Sequence, residues 1–169
     1  MYYKFNVMKS LALIPFFLLL TACNGHSDDS SGLQAQVDSL QNKLNNSYKP
    51  GLGEFMSGIQ VHHAKLWFAG INSNWKLADF EINEIKESVD DIQKFNTDRP
   101  EVKSIGMINL AIEGISEAIK KQDAQLFKRN FGVLTNTCNN CHNATDHGFN
   151  VIVIPTTPPV SNQQFKPVP

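Results

Sequence analysis

Several absences bound what this chain can be. It has no paired carboxylates spaced for acid and base work, no nucleophile triad and no phosphate-cradling loop, so no substrate turnover is predicted and the chain is not expected to be an enzyme. Basic residues do not cluster, which argues against nucleic acid as a partner. Over residues 52–143 no alternation of apolar and polar residues appears, which excludes a sheet as the organising element. Cysteine is scarce, with three in 169 residues. The single long apolar run, Leu11 to Leu20, is too short for a comfortable membrane span.

That run has another reading. Lys4 and Lys9 precede it, and Leu20-Thr21-Ala22-Cys23 follows it, the layout of a bacterial export signal, with Met8 as an alternative start. Leu-x-Ala-Cys resembles the lipobox of bacterial lipoproteins. The resemblance implies cleavage after residue 22 and acylation of Cys23, at about 0.8 kcal/mol per buried methylene. The expected location is therefore the periplasmic side of the cell envelope, with the membrane contacted only through the lipid. Removing residues 1–22 leaves 147 residues, 13 basic against 16 acidic, enough for one domain.

Residues 23–50 read as a lipid-anchored tether with a short helix. The stretch Asn24 to Gly32 is too polar to pack. Leu33, Val37, Leu40 and Leu44 then repeat at helical spacing and offer a short coiled-coil seam for a homodimer, or a face that packs on the main domain. Lys49-Pro50-Gly51 breaks the chain.

Residues 51–147 predict four helices. The first, Leu52 to Asn72, carries an inner stripe of Met56, Ile59, His63, Leu66, Trp67 and Gly70. Asn74 caps the second, with Ala78, Ile82, Ile85, Val89 and Ile92 inward, and Thr97-Asp98-Arg99-Pro100 ends it. The third starts after Pro100 and buries Ile105, Ile108, Ile112, Ile115 and Ile119. Asp123 caps the fourth, on which Phe127, Phe131, Leu134, Cys138 and Cys141 share one stripe. Short connections predict an all-α, antiparallel up-down-up-down bundle. Residues 148–169 are different: Phe149 and Val151 to Ile154 form an extended apolar run, followed by Pro155, Pro158 and Pro159, which forbid helix. Packing of this tail on the bundle or over the cofactor edge is expected. Trp67, Trp75, Phe55 and Phe80 are expected in the core.

Cys138-Asn139-Asn140-Cys141-His142 carries the chemistry. Cys-x-x-Cys-His is the spacing at which a chain takes haem c through two thioethers and an imidazole, and one covalent haem is expected. Two alternatives remain: a redox dithiol, which wants its pair at a helix start, and a zinc site from Cys138, Cys141, His142 and His147. Four helices with this motif closing the last resemble the cytochrome c-prime family over residues 52–145. The segment Gly53-Glu54-Phe55-Met56 through His62-His63 to Gly70 is also similar to bacterial c-type cytochrome-like lipoproteins. The c-prime resemblance implies covalent roles for Cys138 and Cys141, a proximal role for His142, and an iron whose far side faces the first helix. The lipid anchor, the tether and the chain beyond the motif depart from that family. Met56 and His63, seven apart on one face, are the distal candidates; His63 is preferred because a buried imidazole needs a partner. The expected function is single-electron transfer to redox partner proteins by an electron carrier. The alternative is binding or sequestration of nitric oxide or carbon monoxide at a five-coordinate haem.

Overall fold

The structure, a computed structural model, describes residues 27–168, so the export signal and Cys23 lie outside the described residues. Among the described residues the chain is all-helical, with no strand. It divides into two units, the first ending at Tyr48 and the second beginning at Lys49. The first contains α1, Ser27–Asn45. This helix starts six residues before Leu33, inside the stretch expected to be a flexible tether. Once a helix exists, adding a residue gains a backbone bond without requiring burial, so polar residues can extend it. Leu33, Val37, Leu40 and Leu44 are all more than half exposed on it.

The second unit holds α2 (Leu52–Ile71), α3 (Trp75–Phe95), α4 (Val102–Ile105), a 3₁₀ turn (Gly106–Ile108), α5 (Asn109–Lys120) and α6 (Ala124–Ala144). Two starts follow the sequence directly. The Asn74 side chain accepts from the Leu77 amide, and Asp123 accepts from Gln125 and Leu126, satisfying amides that a helix start leaves without partners. The ends of α2, α5 and α6 share one device. Ser73, Gln122 and Asp146 take left-handed φ angles of 57°, 53° and 59°. The next amide of each reaches back five residues, Asn74 to Ala69, Asp123 to Ala118 and His147 to His142, at 2.9, 3.1 and 2.8 Å.

The third expected helix is not continuous. It breaks at Gly106 into α4, the 3₁₀ turn and α5; glycine is the weakest helix former after proline, and the tighter turn absorbs the change of winding. The expected inner residues Ile105, Ile108, Ile112, Ile115 and Ile119 are nevertheless all buried.

Aromatic contacts tie α2 to α6. His63 lies against Phe131 at 4.5 Å, Trp67 against Phe131 at 4.8 Å and against Phe127 at 6.4 Å. As numbers rise along α2 they fall along α6, so these two helices are antiparallel. Gly70 lets them approach, because a β-carbon there would run into the fully buried Phe127 ring. Across the α2–α3 turn His62 Nδ1 meets Glu81 Oε2 at 2.6 Å, and Asn130 Nδ2 donates to the Gly114 carbonyl between α6 and α5. Phe80 is a correction: it is 53% exposed, because it lies off the stripe that Ala78, Ile82 and Ile85 define.

Candidate functional site

The stripe of α6 changes character along its length. Phe127, Phe131 and Leu134 are fully buried, and the stripe then runs out onto the wall of a cavity of about 330 Å³, partly open to solvent. Cys138, Cys141 and His142 line one side of it, while Met56, Ile59 and His63 of α2 line it as well. Antiparallel packing of the two helices produces this meeting: the end of α6 comes beside the start of α2. Ile105, Ile108 and Val89 make further wall apolar, and Arg99, paired with Glu101 at 2.7 Å, borders it.

Both cysteines are free and half-buried. Burial, with Cys141 adding to it, pushes the Cys138 thiol up to about 11, and burial raises Cys141. These thiols are protonated at neutral pH. A redox dithiol needs the opposite, a thiolate stabilised at a helix start, and this pair sits in the last two turns of α6. For the zinc alternative, among the described residues no three His, Cys, Asp or Glu side chains gather closely enough to hold a metal ion. His147, its fourth member, gives its Nδ1 proton to the Thr145 carbonyl at 2.6 Å, which leaves its Nε2 open.

His142 has a defined tautomer. Its Nδ1 lies 2.6 Å from the Asn150 carbonyl oxygen, which can only accept, so Nδ1 carries a proton and, in the neutral ring, the lone pair is on Nε2. A carbonyl behind the ring is how metal-ligating histidines are oriented.

His63 is 4% exposed, and burial pushes its pKa down to about 4, so it is neutral. Thr135 donates its hydroxyl proton to the Phe131 carbonyl and therefore accepts from His63 Nε2 at 2.9 Å. This buried imidazole thus has a hydrogen-bond partner in Thr135, and its lone pair lies on Nδ1. Met56 is half-buried, borders the cavity and packs against the core.

Other polar residues in and around the core were not anticipated. Thr135 stands on the inner stripe one turn before Cys138, and a hydroxyl on a buried stripe is a readable signal. Glu81 is fully buried with one carboxylate oxygen unpartnered; it falls between Ala78 and Ile85 on an inward face, which also could have been noticed. Asn139, Asn150 and Ile152 form a hydrogen-bonded group beside His142, and no local pattern announces it. Of the apolar run after Phe149, only Ile152 turns toward the cavity, whereas Phe149, Val151 and Val153 are 84%, 64% and 66% exposed. An extended chain alternates its side chains, so one face of such a run must point away. Further along, Phe165 is buried and lies against Phe68 at 5.6 Å.

No family model, curated protein or solved structure matches the chain.

Proposed function

We propose that this protein is a monohaem c-type cytochrome that passes single electrons to partner redox proteins, tethered through Cys23 to a membrane of the bacterial cell envelope. The supporting observation is the wall formed by Cys138, Cys141 and His142: two neutral thiols and an imidazole whose Nε2 lone pair is free, on one side of an otherwise largely apolar cavity. That donor set suits a haem held by two thioether bonds and one axial nitrogen. When bound, the haem supplies a reversible one-electron couple. The chain's own residues do the rest. His142 ligates through Nε2, Cys138 and Cys141 fix the ring, and Ile59, Ile105, Ile108 and Val89 restrict water. On this reading α2, α3, the α4–α5 segment and α6 form an antiparallel four-helix bundle, with residues 148–169 lying along it, and Met56 is the distal donor, its thioether free of any competing hydrogen bond. His63 with Thr135 makes the pocket wall.

The absorption spectrum of the reduced protein, with and without carbon monoxide, tests this. A sharp low-spin α band indifferent to carbon monoxide is expected, and Met56→Ala should convert it to a carbon-monoxide-sensitive form. A wild-type spectrum that already shifts with carbon monoxide would point to the gas-binding alternative. The absence of any Soret band would end the haem reading.

A further inference from the structure

We infer that Asn139, between the two cysteines, is the positioning residue that fixes the imidazole of His142, acting through the backbone of residues 150–152. The inference rests on the reading of His142 as an iron ligand. Its geometry starts at the end of α6. Asp146 in the left-handed region turns the chain back, so that the His147 amide bonds the His142 carbonyl at 2.8 Å, and the Asn150 amide then bonds the His147 carbonyl at 2.9 Å. The reversed chain passes beside the α6 residues it has just left. There the Asn150 carbonyl accepts from His142 Nδ1 at 2.6 Å.

Two bonds hold that carbonyl in place. The Ile152 amide donates to Asn139 Oδ1 at 2.8 Å, and Asn139 Nδ2 donates to the Ile152 carbonyl at 2.9 Å. A carboxamide offers one acceptor and one donor side by side, the complement of a backbone N–H and C=O. Aspartate keeps only the acceptor, and alanine neither. Packing of the neighbours adds little: Phe149, Val151 and Val153, on either side of the clip, are mostly exposed, and only the half-buried Ile152 side chain faces the cavity. The tautomer of His142 therefore depends on a hydrogen-bonded clip that starts inside the haem-attachment motif itself. A donor bond from Nδ1 to a carbonyl raises the basicity of the ligating nitrogen, which favours the ferric state.

The test compares wild type, Asn139→Ala, Asn139→Asp and Phe165→Ala as full chains. Histidine ¹⁵N spectra of the haem-free chain should show His142 protonated at Nδ1 in wild type, a mixture of tautomers in Asn139→Ala and an intermediate mixture in Asn139→Asp. In the haem-bearing chain, Asn139→Ala should weaken the ferric preference about tenfold, raising the midpoint potential by about 59 mV. Phe165→Ala loosens the same segment elsewhere and should leave both readouts unchanged. Wild-type tautomer and potential retained in Asn139→Ala would overturn the inference, as would equal effects of Phe165→Ala and Asn139→Ala. Should wild type carry no haem, the functional reading fails by itself, and the tautomer comparison still decides whether Asn139 positions His142.

Discussion

Replacing Gly70 by alanine sets two effects of opposite sign against each other. Gly70 lies in the last turn of α2, and on helix propensity alone alanine should stabilise by about 1 kcal/mol. The new β-carbon, however, would overlap the end of the Phe127 ring. That ring is fully buried, with Trp67, Trp75 and Phe131 around it at centroid distances of 6.4, 6.1 and 5.9 Å, so it has nowhere to swing. Overpacking of this kind costs about 1–3 kcal/mol, and a ring enclosed by aromatics belongs in the upper half of that range. The net expectation for Gly70→Ala is a loss of about 1–2 kcal/mol, equivalent to a fall in Tm of roughly 4–8 °C. Urea unfolding of the full chain measures it. Adding Phe127→Leu should recover part of the loss, so the double variant is less unstable than the sum of the singles. A rise in stability in Gly70→Ala would refute the close α2–α6 approach on which the position of the cavity depends.

His63 should make stability depend on pH. Its folded pKa, about 4, lies below the ordinary value of 6.5 because of burial, so its contribution is fully present above pH 6.5 and is lost as pH falls from 6.5 toward 4. The loss amounts to about 3 kcal/mol. Denaturation midpoints between pH 7.5 and 4 should show it, and His63→Gln should flatten that part of the curve. Gln122→Gly should stabilise by about 1 kcal/mol, against the usual sign for glycine, because Gln122 holds a left-handed φ of 53°; thermal unfolding reports it. Asn74→Ala removes the bond from the Leu77 amide and should cost about 1 kcal/mol in the same assay. Phe165→Ala takes away the buried ring against Phe68 and should speed hydrogen exchange in residues 160–168 while leaving α2, α6 and the Ile152 amide protected.

Legibility in the sequence followed the range of the forces involved. The apolar stripes of α3 and α6, the caps at Asn74 and Asp123 and the meeting of Met56 with Cys138 on one cavity depend on local periodicity and on antiparallel order, and all could be read beforehand. The break at Gly106 was missed because the isoleucine spacing continues through it, the 3₁₀ turn keeping Ile105 and Ile108 on the inner side. Leu33 to Leu44 gave the helix but not its starting point, since burial patterns are silent about polar residues that a helix can absorb. From the sequence, His63 is preferred to Met56 as a buried imidazole in need of a partner, and Thr135, 72 residues away, supplies a hydrogen bond that no local pattern announces. Asn139 with Ile152, and His142 with Asn150, depend on how the chain reverses after Asp146, where a non-glycine residue adopts a left-handed angle that composition does not reveal.

Covalent attachment at the α6 motif is best tested by mass. Protein matured in a host that attaches haem to exported chains should give a peptide spanning residues 138–142 that carries one tetrapyrrole through both sulfurs, and replacing Cys138 and Cys141 by serine should abolish the addition. The same peptide recovered from the natural host with two unmodified thiols would contradict the account.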